Sequence, residues 1–192
     1  CYTVVDGVKL PMRTGDFLLT PGGSWHSHYN EGDANAYWID VLDVPLVHLL
    51  EPMFFEEAPG NTQAVDSEPA THPFYFPPQQ TDAALAAVAG QGGLKRVTLD
   101  TQEYMRTVRV DGLQLAAGTT HDLGCDTSNR IFAATAGRGT AQVGTHTFTW
   151  ARGDVIAVPT WTALSLTATE DAALMEVNDA PVMQKLGFFR KA

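Results

Sequence analysis

The sequence predicts an all-β protein built from two related antiparallel barrels, and three observations lead to that prediction. Its apolar or alternating runs are short and separated by Gly, Pro, Asp or Asn, which is typical of a sandwich or barrel. Only one segment, the Ala-rich Asp82–Ala89, has a helical composition, and Gly90 closes it. A long segment near the first residue also recurs later. The predicted strands are Tyr2–Val5, Phe17–Thr20, Ala36–Val41, Ile131–Ala134, Ala141–Val143, Asp154–Val158 and Ala172–Val177.

The recurrence is seen when "YTVVDGVKLPMRTGDFLLTP" is laid over "AQVGTHTFTWARGDVIAVP". The two copies keep a constant spacing, with Gly15 matching Gly153 and Pro21 matching Pro159. Each copy shows a strand, a hairpin turn, a strand, a Gly-Asp turn, a buried strand and a proline. A repeat of this length indicates duplicated domains rather than a solenoid of short units.

The repeat also predicts the domain organisation. We expect residues 1–50 to be the C-terminal part of a first barrel, 51–94 an irregular and partly helical connection, and 95–192 the second barrel. Structured sequence precedes the matched segment of the second copy, whereas Cys1 already aligns with Gly139. We therefore expect the first barrel to be incomplete in this chain, with its opening strands upstream of residue 1.

Composition restricts the classes of partner. The chain of 192 residues has 12 Lys and Arg against 22 Asp and Glu, a formal net charge of -10. It has no basic run, so neither a nucleic-acid nor a membrane partner is expected. No apolar stretch approaches the ~20 residues of a membrane helix. Cys1 and Cys125 form no spacing motif, which favours a reduced, cytoplasmic location.

Two histidines in "PGGSWHSHYN" are the main candidates for a functional site. Alternate side chains of a strand share one face, so His26 and His28 both face the barrel interior if this segment is extended. They are either metal-binding and substrate-contacting groups or two histidines with ordinary hydrogen-bond partners at a strand end. At the spacing of the repeat they correspond to Leu164 and Leu166, which predicts an apolar, metal-free interior in the second barrel. Buried imidazoles at the matched positions need polar partners.

Asp40, in "AYWIDVLDVP", is the third candidate, because a carboxylate between apolar strand residues is rarely buried without a partner. It either hydrogen-bonds His28 or a substrate hydroxyl, or it caps the following turn, a role that Asp43 fills equally well. The other histidines are interpreted as structural. They are His48 in a packed or interface position, His72 in the connection, His121 at the start of the second barrel and His146 in a hairpin turn.

The stretch "GDFLLTP…WHSH" after a hairpin resembles the second conserved motif of the cupin superfamily. Two parts of the chain resemble the bicupin ring-cleaving dioxygenases of the gentisate 1,2-dioxygenase family. One is "YTVVDGVKLPMRTGDFLLTPGGSWHSHYN" followed by "YWIDVLDVPLV", and the other is the C-terminal "WARGDVIAVPTWTALSL…DAPVMQKLGFFR". The resemblance implies a bicupin fold and Fe(II) held by three histidines. By motif position, His26 is the third iron ligand, His28 a catalytic histidine that contacts substrate, and Asp40 a carboxylate in the same pocket. The H-x-H that carries the other two ligands has no counterpart here.

The resemblance further implies a cytoplasmic, homotetrameric enzyme that uses O2 to open gentisate (2,5-dihydroxybenzoate) between the carboxyl- and hydroxyl-bearing carbons. The family's Asp and Gly around the second histidine are Ser27 and Tyr29 here, which leaves the substrate open. Salicylate or 1-hydroxy-2-naphthoate is the alternative small aromatic acid, and a non-catalytic ligand-binding bicupin is the alternative class. With one expected iron ligand, residues 1–192 alone are expected to be inactive.

Overall fold

The computed structural model describes the backbone of residues 1–192 and the side chains of residues 1–60 and 62–192. The chain divides into two compact units, Cys1–Pro78 and Gln79–Ala192. The first unit therefore includes much of the segment that the sequence predicts to be a connection. The boundaries at residues 50 and 94 stay predictions of domain organisation.

The first unit consists of five short strands in two antiparallel sheets. A three-stranded sheet has the order β2-β1-β4, and β3 pairs with β5. The β1–β2 hairpin turns at Asp6-Gly7, whose φ angles of 46° and 81° are those that an Asp-Gly hairpin favours. A helix, α1 (Val44–Leu49), and a 3₁₀ turn, Pro59–Asn61, follow. The strands are β1 (Tyr2–Val5), β2 (Val8–Pro11), β3 (Phe17–Leu18), β4 (His26–Tyr29) and β5 (Tyr75–Phe76).

The second unit has two larger antiparallel sheets with the hydrophobic core between them. One has the order β12-β9-β14-β7-β6 and the other β11-β10-β13-β8. No helix in the described part of the chain is long and apolar enough to cross a membrane. The elements are α2 (Pro78–Ala87), β6 (Leu94–Thr98), β7 (Arg109–Leu115), β8 (Thr120–Gly124), β9 (Arg130–Ala136), β10 (Arg138–Val143), β11 (His146–Ala151), β12 (Val155–Val158), β13 (Leu164–Ala168), β14 (Ala172–Asn178) and α3 (Ala180–Lys185).

The repeat predicted from the sequence is confirmed by the strand register. β1 lies between β2 and β4 as β10 lies between β11 and β13, and every residue pair of the first set has its counterpart in the second at the spacing of the repeat. The Gly-Asp turns match too. In both, the Asp carboxylate accepts a hydrogen bond from the backbone N–H three residues earlier, Arg13 at 2.8 Å and Ala151 at 2.9 Å.

Six of the seven predicted strands lie on or overlap observed strands, and the predicted helix Asp82–Ala89 overlaps α2. The prediction for Ala36–Val41 is wrong, because this segment has no regular secondary structure. The helices explain why it nevertheless looks like a strand. Asp43 precedes α1 as Asp179 precedes α3, and an alignment on these two residues places 36–42 on β14. β14 is hydrogen-bonded to both β7 and β9, whereas the described residues give segment 36–41 no partner strand.

One end of the second unit contains a network of buried charges that the sequence did not predict. Glu176 of β14 is fully buried and accepts hydrogen bonds from Arg130 at 2.9 Å and Arg96 at 2.6 Å. The same Arg96 lies 3.9 Å from Asp111, which is also fully buried. Buried ions require such partners, since an unpaired charge in a protein interior is strongly unfavourable.

Glu176→Gln is therefore expected to lower the free energy of unfolding by about 3–5 kcal/mol, because Arg130 would remain buried without its anionic partner. Chemical denaturation measures the change. Glu170→Gln is the control, since its ion pair with Arg138 at 3.3 Å is exposed and its loss is expected to cost less than about 1 kcal/mol. Equal effects of the two substitutions would contradict the prediction.

In the first unit, stability should depend on the protonation of His72. Its Nδ1 lies 3.2 Å from the backbone nitrogen of Phe74 and accepts that N–H only when unprotonated, and burial lowers the pKa of His72 below the ordinary 6.5. Below that value the unfolded chain binds a proton that the folded chain resists, so stability falls as pH falls.

The free energy of unfolding, measured at pH values on both sides of 6.5, is therefore expected to fall less on acidification in His72→Gln than in the wild type. His146→Gln is the matched control, because His146 lies on the exposed strand β11. An unchanged pH dependence in His72→Gln would exclude this role.

Candidate functional site

Strand β4 places both candidate histidines on one face. Its four residues alternate, with His26 and His28 exposed and Ser27 and Tyr29 partly buried on the other side. The imidazole ring centroids lie 5.7 Å apart, with the rings inclined at 61°. The structure thus confirms that the two side chains form a pair on a common face, as alternate side chains of an extended strand do.

The second unit shows where the corresponding face of the matching strand points in a closed barrel. Val5 is opposite His26 in β1 and β4, and Val143 is opposite Leu164 in β10 and β13. Leu164 and Leu166 are 1% and 0% exposed and lie in the core between the two sheets, as predicted from the repeat. The histidines therefore occupy positions that face the interior of the related barrel.

His26 has a ring orientation compatible with metal binding. Its Nδ1 lies 3.4 Å from the backbone carbonyl of Ser24. With the proton on Nδ1, the imidazole donates to that carbonyl and leaves the lone pair of Nε2 free. A backbone hydrogen bond to one ring nitrogen is the usual way that proteins fix the tautomer of a ligating histidine.

His28 lies against an aromatic side chain and near a carboxylate. Its ring centroid is 5.2 Å from that of Trp38. The His28 side chain is exposed on one side, and its partial burial lowers its pKa. The neighbouring His26 lowers the pKa further, and the carboxylate of Asp40 opposes both effects. The imidazole is therefore held neutral over a wider pH range, as a proton acceptor or a metal ligand must be.

Asp40 is near this pair but does not have the strand setting that the sequence predicts for it. It is exposed, in the irregular segment 36–41. When the units are aligned on the residues that precede α1 and α3, Asp40 corresponds to Glu176, the buried carboxylate of the second unit. Both units thus carry a carboxylate at this position, beside the histidine pair in one and between arginines in the other.

Each of the four remaining histidines has its own setting. His121 is partly buried, and its Nε2 lies 2.9 Å from the Thr119 hydroxyl, which fits the predicted structural role. His48, predicted to be in a packed or interface position, is exposed on α1. His72 contacts Phe74, with ring centroids 4.7 Å apart, and His146 is exposed on β11 rather than in the hairpin turn itself.

Two groups near the pair were not predicted from the sequence. Trp38 contacts His28, and Trp25, next to His26, donates its indole N–H to the carbonyl of Glu56 at 3.1 Å. The "WHSH" motif already contains Trp25, but nothing in its spacing indicates a partner so far along the chain.

The donor set fits a first-row metal in its chemistry. Two neutral imidazoles on one face are donors that ferrous iron accepts. Among residues 1–60 and 62–192, no three His, Cys, Asp or Glu side chains form a group suited to holding a metal ion. His26, whose Nε2 lone pair is free when the proton is on Nδ1, is the imidazole on this face with the ring orientation of a ligand.

Comparisons with known proteins show what this chain is similar to. The family described as "Cupin domain" matches residues 1–42. The chain is 31% identical to a gentisate 1,2-dioxygenase of Streptomyces sp., over 98% of this chain and 63% of the relative. It is also 31% identical to a 5-aminosalicylate 1,2-dioxygenase of Comamonas sp., over 99% of this chain and 59% of the relative.

The fold agrees with a solved structure of the same kind. The salicylate 1,2-dioxygenase of Pseudoaminobacter salicylatoxidans, in adducts with gentisate, matches with a TM-score of 0.87 and 26% identity. The match covers 100% of this chain and 62% of that chain. The bicupin fold predicted from the sequence is thus confirmed, and this chain spans about six tenths of the length of these relatives.

Proposed function

Because the chain is related over almost its entire length to bicupin ring-cleaving dioxygenases, we propose that the protein opens the ring of gentisate with O2 in an Fe(II)-dependent reaction. The observation that carries the proposal is the His26–His28 pair on the inner-facing side of β4, where the second unit has buried leucines. A cytoplasmic homotetramer is part of the same proposal.

His26 is the proposed iron ligand, through Nε2, because its Nδ1 lies near the Ser24 carbonyl. Ferrous iron held by His26 and further ligands would supply Lewis-acid and redox chemistry for the reaction with dioxygen. The proposal concerns the full-length gene product. This chain spans 63% of the length of the gentisate dioxygenase and 59% of the length of the aminosalicylate dioxygenase that it resembles.

His28 and Asp40 are the proposed catalytic residues. Neutral His28 accepts a proton from a ring hydroxyl of the substrate, and Asp40 stabilises the imidazolium that forms. Trp38, against the His28 ring, supports this role in two ways. It restricts the imidazole to one orientation, and its apolar surface suits an aromatic substrate.

We expect substitutions of the two histidines to have different effects on iron content and on turnover. In the full-length gene product, His26→Ala is expected to abolish iron binding, because it removes a ligand. His28→Ala is expected to keep most of the iron and to lower kcat by about 10- to 100-fold, as loss of an outer-shell partner does. Iron content and oxygen uptake measure the two effects.

His121→Ala is the control for these variants. His121 is a histidine of the second unit, bonded to Thr119, and its loss is expected to leave iron content unchanged. Equal loss of iron in His26→Ala and His28→Ala would contradict the division of roles. Loss of iron in His121→Ala would instead place a metal in the second barrel.

The substrate is tested by oxygen uptake with gentisate, salicylate and 1-hydroxy-2-naphthoate in turn. We expect the highest kcat/KM with gentisate. A preference for salicylate would support the second candidate, which the relation to aminosalicylate and salicylate dioxygenases favours. Absence of both iron and oxygen uptake would instead indicate a non-catalytic, ligand-binding protein.

A further inference from the structure

Gln63 contacts the histidine-bearing sheet although it lies outside every helix and strand. Its side-chain Oε1 accepts a hydrogen bond from the Gly7 N–H at 3.3 Å. Its Nε2 donates to the carbonyl of Val4 at 3.3 Å and to the hydroxyl of Ser27 at 3.4 Å. One amide group thus joins the turn of the first hairpin, strand β1 and strand β4.

The backbone of Gln63 makes a further contact with β4, since its N–H donates to the hydroxyl of Tyr29 at 3.2 Å. Ser27 and Tyr29 are the two residues of β4 that alternate with the histidines. Successive side chains of a strand point to opposite faces, so Gln63 lies on the outer face and the imidazoles on the inner one. Fixing Ser27 and Tyr29 therefore fixes the direction of both rings.

The residues after Gln63 attach to the same hairpin. The backbone N–H of Asp66 donates to the Gly7 carbonyl at 2.8 Å, and that of Lys9 donates to the Ser67 carbonyl at 2.9 Å. An ion pair joins Lys9 to Glu68 at 3.2 Å. Gln63 is thus held at a defined place beside the sheet, and its amide is partly buried there rather than free in solvent.

β4 is a short strand that carries both histidines. Only four residues form it, and it pairs with β1 along its whole length. Metal-binding and catalytic groups need to be held within ~0.5 Å of their productive positions. A contact on the outer face of β4 therefore adds to the restraint that β1 provides.

We propose that Gln63 is a positioning residue that holds β4 from its outer face, so that His26 and His28 present their rings on the inner face. This inference rests on the proposed function for its effect on iron and catalysis. Its effect on the order of β4 is independent of that function.

The experiment compares Gln63→Leu and Ser27→Ala with the wild-type full-length gene product. Leucine keeps the bulk of Gln63 but makes none of its side-chain hydrogen bonds, and Ser27→Ala removes one acceptor with little change of shape. Gln142→Leu is the matched control. Gln142 also stabilises a hairpin, by bonds to Gly144 and Thr147, but in the second unit.

Two readouts are taken on each variant. Amide hydrogen exchange of residues 26–29 reports the order of β4 without any metal. Iron affinity, by competition with a chelator, and the separate values of kcat and KM report the effect on the site.

For Gln63→Leu we expect exchange in β4 to rise about tenfold and iron affinity to fall by about 10- to 100-fold. Ser27→Ala should give a smaller change of the same kind, and the double variant should lose less than the sum of the two. Gln142→Leu should change neither quantity.

Wild-type exchange of β4 in both Gln63→Leu and Ser27→Ala would overturn the inference, whatever the iron content. If Gln63→Leu does not fold, Ser27→Ala decides by the same criterion. A third outcome separates the two proposals. If β4 exchanges faster in the variants but the wild-type protein neither binds iron nor takes up oxygen, the positioning role is supported and the proposed function is rejected.

Discussion

The site depends on the antiparallel register between β1 and β4. Val5 opposite His26 and Thr3 opposite His28 set which residues of β4 face inward. A slip by a single position would turn both imidazoles outward and bring their strand neighbours to the inner face, because the side-chain period of a strand is two. The Asp6-Gly7 turn fixes the β1–β2 hairpin, and the Asp6 carboxylate also accepts a hydrogen bond from the Trp25 N–H at 3.0 Å, next to the start of β4. The same turn therefore determines both the hairpin and the position at which β4, the strand with the two histidines, begins.

The two units show how one strand frame supports opposite interiors. In the second unit the inner positions of β13 are leucines within a closed apolar core, and the polar groups are gathered at one end in the network around Glu176. In the first unit the same positions carry imidazoles, and a cluster of buried apolar residues there contains Val5, Leu10 and Tyr75. A core of leucines contributes stability by leaving water. Histidines at the same sites contribute little hydrophobic stabilisation. They require hydrogen-bond, aromatic or metal partners instead. The first unit thus has polar side chains at positions that are part of the apolar core in the second unit.

Local pattern was sufficient to predict most strands, the repeat and the shared face of His26 and His28, because alternation and turn residues are encoded within a few positions. Ala36–Val41 was predicted wrongly because its residues match β14, but a strand also needs partners, and β14 has β7 and β9 beside it. The contacts of Gln63 with Ser27, and of Trp25 with Glu56, join groups that are distant in the sequence. Such contacts depend on where an irregular segment folds back onto the sheet. The spacing of apolar residues along the chain does not predict that position. The Arg130–Glu176 pair was missed for the same reason, since its partners lie far apart in the chain and on different strands.

The carboxylate shared by the two units connects the fold to the chemistry. Glu176 lies between Arg130 and Arg96, so its charge is neutralised and its function there is structural. Asp40, at the corresponding position, has the histidine pair as its neighbour, and it acts against the burial and the His26 charge that lower the pKa of His28. A carboxylate beside a neutral imidazole favours the imidazolium once a proton arrives, whereas burial favours its release. These two influences on the pKa of His28 oppose each other, which suits the proton-transfer role proposed for it. At the matched position the second unit thus has a glutamate bound to arginines, and the first unit has an aspartate near the histidine pair.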